Sequence, residues 1–210
     1  MHAVPALDIV RPALPGPSEE EVAMVPVMSL WLPIVLSAVV VFVASSIIHM
    51  VLPYHRGDYK KLPDEDGVLS ALRKFAVRPG DYLFPKPDGP KAMKDPAFLE
   101  KWSKGPVGMM TIMKSAEKPS MGKPLGFWFL YCVVVGIFAA YIAGRALQPG
   151  APYFSVVRFA GATAFVSYAL GLWQNTIWYG RAWTTTLKSN IDGLIYALLT
   201  GGVFGWLWPK

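Results

Sequence analysis

The residues best suited to chemistry lie in one segment, from His49 to Tyr59, which holds two histidines and an aspartate. The imidazoles of His49 and His55, with the carboxylate of Asp58, could bind a transition-metal ion such as zinc. The imidazole of His49 alone would suffice as an axial ligand of haem or of a chlorophyll-type pigment. Pro53 breaks a helix between the two histidines, so their spacing fixes no ligand geometry. A structural role is favoured over metal binding, so no metal site is predicted here, and His49 is the candidate ligand of a cofactor that the sequence does not identify.

The rest of the chain lacks the usual signatures of catalysis. It contains no Gly-rich phosphate loop, no nucleophile elbow and no HExxH zinc motif. The one cysteine, Cys132, lies in an apolar run, so the chain forms no internal disulfide and no cysteine-based zinc site. We therefore expect a protein that is not an enzyme.

The composition is that of a membrane protein. Of the 210 residues, 53% are hydrophobic and 16% are charged, whereas soluble domains carry about 25% charged residues. The charge is also unevenly placed, because 14 of the 20 Lys and Arg residues lie between Pro53 and Pro124. The net charge of +6 therefore indicates membrane orientation rather than a nucleic-acid partner.

Four apolar runs are long enough, or nearly so, to cross a bilayer as helices. The predicted spans are 28–52, 125–148, 157–180 and 191–208. The fourth is the shortest and begins beside Asp192. The predicted fold is thus an all-α membrane protein, a bundle of about four transmembrane helices with a loop that contains two short amphipathic helices.

The long loop 53–124 is basic, and basic loops stay on the cytoplasmic side of a membrane. The segment 1–27 offers only Arg11 against four acids, so we expect it outside, together with the C-terminus. This tail contains five prolines and little periodicity, a composition that is disordered in isolation.

Two helices are expected inside the loop, because acids at their starts and bases at their ends suit the helix dipole. The first runs from Asp64 to Lys74 and the second from Asp95 to Gly105. Between them, Arg78 to Asp81 and Pro85 to Pro90 have the composition of turns.

Small residues recur at four-residue spacing in two of the spans, where they allow close helix packing. They are Gly136, Ala140 and Gly144 in the second span, and Ala197, Gly201 and Gly205 in the fourth. The pattern leaves open whether each row packs inside this chain or against another subunit.

The spans also contain polar residues that need partners in lipid. They are Ser167, Gln174 and Asn175 in the third span and Asp192 at the start of the fourth. Hydrogen bonds between neighbouring helices are favoured over a solute-binding site.

Four segments resemble a family of small bacterial multi-pass membrane proteins without an assigned function. They are 28–33 (MSLWLP), 49–55 (HMVLPYH), 62–66 (LPDED) and 188–202 (KSNIDGLIYALLTGG). The resemblance implies a bacterial inner membrane and a start near Met28, and it transfers no catalytic residue.

Three functions remain open. The first is a non-catalytic accessory subunit of a larger bacterial inner-membrane complex, respiratory or photosynthetic, with other membrane subunits, a second copy of the chain and the lipid bilayer as partners and no nucleic acid. The second is a small oligomeric transporter or channel lined by Gln174, Asn175 and Asp192. The third is a haem-, pigment- or metal-binding membrane protein that uses His49.

Overall fold

A computed structural model describes residues 24–115, 118 and 120–210 of the chain. The protein is mostly helical, and three of its helices are long and apolar enough to cross a membrane. These three are Val27–Val51, Gly122–Ala146 and Tyr153–Tyr179. Residues 1–23 of the Pro-rich tail lie outside the described residues, so its predicted state is not addressed.

The first span consists of three kinds of helix. A 3-10 turn, Val27–Leu30, leads into the α-helix α1, Trp31–Ser46, which ends in the π-helical turn Ile47–Val51. The chain then becomes extended at Leu52, as is usual for a residue before proline, and Pro53 begins a short 3-10 turn. This irregular end of the span carries His49.

The other bundle helices follow the long loop. They are α4, Gly122–Ala146; α5, Tyr153–Tyr168; α6, Trp173–Tyr179; and α7, Trp183–Trp206. A 3-10 turn at Leu170–Leu172 separates α5 from α6, where the sequence predicts one continuous span. Gly171, a residue that is unfavourable in a helix, lies in this turn. Helix α7 also begins well before residue 191, because its polar first half forms part of a buried cluster rather than a loop.

The first row of small residues lies between α1 and α4. A Cβ atom at Gly136 would stand 3.2 Å from the carbonyl oxygen of Ile34, and one at Gly144 would overlap the carbonyl oxygen of Val25. Ala140, between them, is fully buried. The backbone N–H of Val25 also donates a 3.0 Å hydrogen bond to the carbonyl of Gly144. This row is therefore an internal contact within the chain.

The second row lies between α5 and α7. A Cβ atom at Gly201 would stand 3.0 Å from the carbonyl oxygen of Val157, and one at Gly205 would stand 2.7 Å from the ring of Tyr153. The carbonyl oxygen of Ala197 lies 3.4 Å from the Cβ position of Gly161 on α5. Backbones approach this closely only through small residues, so this row too packs inside the chain.

Two short helices lie in the loop between the first span and α4. Helix α2 is Glu65–Lys74, and the side chain of Asp64 caps it by accepting a 3.0 Å hydrogen bond from the N–H of Gly67. Helix α3 is Pro96–Lys104, capped in the same way by Asp95. Both have exposed surfaces throughout, so they do not enlarge the bundle core.

The loop also contains a two-stranded antiparallel sheet, which the sequence did not lead us to expect. Strand β1, Gly80–Phe84, pairs with strand β2, Gly108–Ile112. The turn predicted at Arg78 to Asp81 is thus wrong in its second half, because Gly80 and Asp81 belong to β1. Pairing between strands separated by α3 is a long-range contact, which local composition does not reveal.

Candidate functional site

Three segments meet at the loop-side end of the bundle and bring charged side chains together. His49 lies in the π-helical turn, and His55 ends the 3-10 turn that follows it. Asp58 comes next, and Lys188 and Asp192 lie one turn apart on α7. Single π-turns are frequent at functional sites, where they redirect a side chain.

His55 joins two carboxylates. Its Nδ1 lies 2.6 Å from Oδ2 of Asp58, and its Nε2 lies 2.9 Å from Oδ2 of Asp192. The side chains are largely buried, with 13% of His55, 7% of Asp58 and 4% of Asp192 exposed. The ring of His49 stacks on that of His55, with 4.3 Å between ring centroids. The two imidazoles therefore lie side by side, with the residue His49 exposed and His55 half-buried.

Lys188 ties the segment after the first span to α7. Its Nζ donates to Oδ1 of Asp58 at 2.8 Å and to the carbonyl of Tyr54 at 2.9 Å. Burial raises the pKa of Asp58, but hydrogen bonds from Lys188 and His55 outweigh that effect and hold the pKa below its usual range. Asp58 is thus a stable carboxylate whose charge is balanced by Lys188.

The neighbour of Asp192 is His55 instead of a lysine. The residue Asp192 as a whole is 3% exposed, and neither of its carboxylate oxygens has an aligned hydrogen-bond donor among the described residues. His55 is close enough to Asp192 to form an ion pair, but the two groups are not oriented for a hydrogen bond. The hydroxyl of Tyr196, one turn further along α7, is also buried without a partner in this part of the structure. Buried polar atoms of this kind are costly, so Asp192 favours a cation in its vicinity.

The arrangement suits a metal ion. His49, His55 and Asp192 each offer one ligand atom, and these atoms all lie within 4.8 Å of one another. Two imidazoles and one carboxylate form a ligand set typical of zinc and of other first-row transition metals. Asp58 on the far nitrogen of His55 would orient that ring, as carboxylates commonly do for metal-binding histidines.

A cavity of about 370 Å³ opens beside Asp192. Four of its ten lining residues are Trp or Tyr, and most of the others are small or polar. The lining residues are His49, Trp128, Tyr131, Ser167, Tyr168, Gly171, Leu172, Ser189, Asp192 and Tyr196. The break between α5 and α6 thus forms one wall of the cavity, and α7 forms another.

The structure does not bring all the predicted polar residues to this site. Asp192 lies in the ligand cluster, and Ser167 lines the cavity beside it. Gln174 is exposed instead of facing a neighbouring helix, and Asn175 lines a different cavity together with Arg181. In a single copy of the chain these three residues therefore do not line one cavity, and a path formed between copies in an oligomer stays a prediction.

Two residues of the site were missed by the sequence reasoning, although the sequence contains a signal for them. Lys188, Asp192 and Tyr196 follow one another at four-residue spacing, which places them on one face of a helix. That spacing would have identified Lys188 and Tyr196 as neighbours of Asp192. No local signal relates Asp192 to His55.

Comparisons of the chain with protein-family models, with curated proteins and with solved structures gave no match. The resemblance to small bacterial multi-pass proteins therefore stays a prediction, and the proposals below depend on geometry and chemistry alone.

Proposed function

We propose that this protein is a four-span membrane protein that binds a divalent transition-metal ion through His49, His55 and Asp192. The observation that carries the proposal is the buried carboxylate of Asp192, which faces two imidazoles and has no aligned donor in the described structure. A bound cation would satisfy the oxygen atoms of this carboxylate.

The fourth span is supported by the packing of α7. This helix runs antiparallel to α5, with Gly205 against Tyr153 at one end and Gly193 against Ala169 at the other. The roughly twelve residues between these contacts cover about 18 Å of helix. A helix that packs along this length of a spanning helix shares its place in the bilayer. Its polar N-terminal half then lies at the membrane boundary.

The cluster has distinct parts. His49, His55 and Asp192 would bind the metal ion, and Asp58 would hold the ring of His55 in place. Lys188 pairs with Asp58, which leaves the carboxylate of Asp192 to bind the metal ion together with the two imidazoles. Three protein ligands leave a coordination position for water or another small ligand, as in catalytic rather than structural zinc sites.

The orientation proposed for the protein is that expected from the distribution of Lys and Arg. The loop between the first span and α4 would face the cytoplasm of a bacterial cell, and the metal site would lie at that face of the inner membrane.

The test is cobalt binding to protein purified in mild detergent and stripped with a chelator. Co²⁺ reports ligand type and geometry through its visible absorption, so a 1:1 spectrum with imidazole ligation is expected for the wild type. Asp192→Asn and His49→Ala should each abolish that spectrum. An exposed carboxylate in the loop provides the matched control, and Asp88→Asn should bind as the wild type does.

Loss of folding would not imitate the expected result. An amide costs less to bury than an unpaired carboxylate, so Asp192→Asn should fold without metal at least as well as the wild type. A wild-type protein that gives no cobalt spectrum, and that carries no metal after growth with added zinc, manganese or iron, would refute the proposal.

The accessory-subunit function stays a prediction, and the same purification tests it. Stoichiometric membrane-protein partners in mild detergent would support it, and a particle containing this chain alone would refute it.

A further inference from the structure

We propose that the cavity beside Asp192 binds an organic ammonium ion, a small alkylamine or a quaternary ammonium group. This inference does not rest on the metal, although both cations would use the same carboxylate. It is carried by the aromatic rings of the cavity lining, by two buried polar side chains whose oxygen atoms lack hydrogen-bond partners in the described structure and by the charges of the lining residues.

Four aromatic rings form a continuous cluster around the cavity. Trp128 lies 6.0 Å from Tyr168 and 6.0 Å from Tyr196, measured between ring centroids. Tyr131 lies 5.6 Å from Trp128 and 5.7 Å from Tyr168. Rings of this kind attract a cation through the negative potential of their faces, and aromatic cages are the usual recognition element for quaternary ammonium groups.

Hydrogen bonds at their edges hold two of these rings in place. The indole N–H of Trp128 donates to Oγ of Ser45 at 2.8 Å, and the hydroxyl of Tyr131 donates to the carbonyl of Ser167. These bonds link α4 to α1 and to α5, so the two rings are fixed by the bundle. A pre-ordered cage loses little conformational entropy when it binds a ligand.

The polar groups of the cavity select a cation. Asp192 and Tyr196 are 3% and 4% exposed and line the cavity, and their oxygen atoms lack hydrogen-bond partners in the described structure. Among the described residues that line the cavity there is no Lys or Arg, and His49 is the one basic side chain. An anion would meet the carboxylate of Asp192 and the ring faces here, whereas a primary ammonium group could donate to the oxygens of Asp192 and Tyr196.

The ligand could reach the cavity from two sources. It could be a free amine, or it could be the head group of a choline or ethanolamine lipid, because the cavity lies at one end of the membrane-spanning bundle. Both sources carry the same ammonium group, so the experiment must distinguish a free amine from a lipid head group.

Binding is measured by calorimetry on chelator-treated protein in nanodiscs of phosphatidylglycerol, a lipid without an ammonium group. The probes are choline, tetramethylammonium and butylamine, with 3,3-dimethyl-1-butanol as the uncharged analogue of choline. The three cations should bind, and the alcohol should bind at least about tenfold more weakly because it lacks the charge. Equal binding of choline and the alcohol, or no binding of any cation, would overturn the proposal.

Three variants test the assignment of residues. Trp128→Leu should weaken every cation about tenfold, whereas Trp102→Leu in the exposed loop helix should have no effect. Tyr196→Phe removes one acceptor while keeping the ring, so it should weaken butylamine and leave tetramethylammonium, which has no N–H, unchanged. Asp192→Asn should weaken all three. Cation binding that survives both Trp128→Leu and Asp192→Asn would place the ligand elsewhere and refute the inference.

The same variants keep this inference separate from the metal site. Trp128→Leu should retain the cobalt spectrum, because the indole is not a metal ligand. If cobalt binds and no ammonium ion does, the inference fails and the proposed function stands. If ammonium ions bind and cobalt does not, the proposed metal site fails and this inference stands.

Measurement in nanodiscs of choline and ethanolamine lipids separates the two sources. Tetramethylammonium that binds as tightly there as in phosphatidylglycerol identifies a site for free amines. A drop in apparent affinity identifies a site for lipid head groups, and either outcome is consistent with an ammonium site.

Discussion

The close contact between α5 and α7 predicts that alanine substitutions at two adjacent glycines change the stability of the protein in opposite directions. A Cβ atom at Gly201 would lie 3.0 Å from the carbonyl oxygen of Val157 and 3.2 Å from Cα of Gly161. A Cβ atom at Gly202, the next residue, would have its nearest neighbour at 3.5 Å, the hydroxyl of Tyr153, which is an ordinary contact. The alanine variants of these two glycines therefore form a matched pair.

The expected difference in the free energy of unfolding follows from a comparison of the two sites. Each Gly→Ala change favours an interior helix position by about 1 kcal/mol, and this gain cancels when the two variants are compared. At Gly201 the new methyl group must displace the α5 backbone by a few tenths of an ångström, and overpacking of this kind costs about 1–3 kcal/mol. We expect Gly202→Ala to be more stable than Gly201→Ala by about 1–3 kcal/mol.

The assay is unfolding of both variants and the wild type in mixed micelles with increasing sodium dodecyl sulfate, followed by circular dichroism. The order of midpoints should be Gly202→Ala highest and Gly201→Ala lowest. If the two alanine variants unfold at the same midpoint, α5 and α7 do not contact each other closely at Gly201. The proposal that α7 spans the membrane beside α5 would then be refuted.

Three further predictions concern other parts of the molecule. Asp58→Asn should fold but weaken cobalt binding by about 10- to 100-fold, because it removes the charge that orients His55, and the same cobalt titration measures it. Cys132, which is 1% exposed, should react with a maleimide only after the protein is unfolded, as mass spectrometry of labelled and unlabelled protein would show. In a Cys132→Ala background, Ser103→Cys and Lys210→Cys should be labelled by an impermeant reagent from opposite sides of the membrane; labelling from the same side would contradict the four-span topology.

Long apolar runs predicted the three helices that are long and apolar enough to cross a membrane, because the bilayer imposes a length and a hydropathy that can be counted along the sequence. They did not predict the interruption between α5 and α6, since Gly171 and its neighbours are as apolar as the helices around them. They also placed the beginning of the last helix too late, because Lys188 and Asp192 have the character of a loop until their partners are known.

The candidate site was only partly visible in the sequence for a related reason. His49 and His55 could be singled out because they are close together in the chain. The contact of His55 with Asp192 depends on how α7 packs against the first span, which no local pattern encodes. The rows of small residues likewise indicated close packing, but the identity of each partner, such as Ile34 for Gly136, required the tertiary structure.

The π-helical turn at Ile47–Val51 is wider than a turn of α-helix, so it changes the direction in which side chains at the end of the first span point. Each residue of a regular helix advances by about 100° around the axis, so deleting Ile47 or Ile48, which precede His49 in this turn, would rotate His49 by about that angle relative to α1. The imidazole would then point to lipid or to solvent rather than to Asp192. The hydrophobicity of the span would hardly change, so a protein of the same membrane topology can hold or lose this polar cluster through a single codon. In a comparison of related chains, a one-residue gap at this position would separate those able to assemble the site from those that only share the bundle.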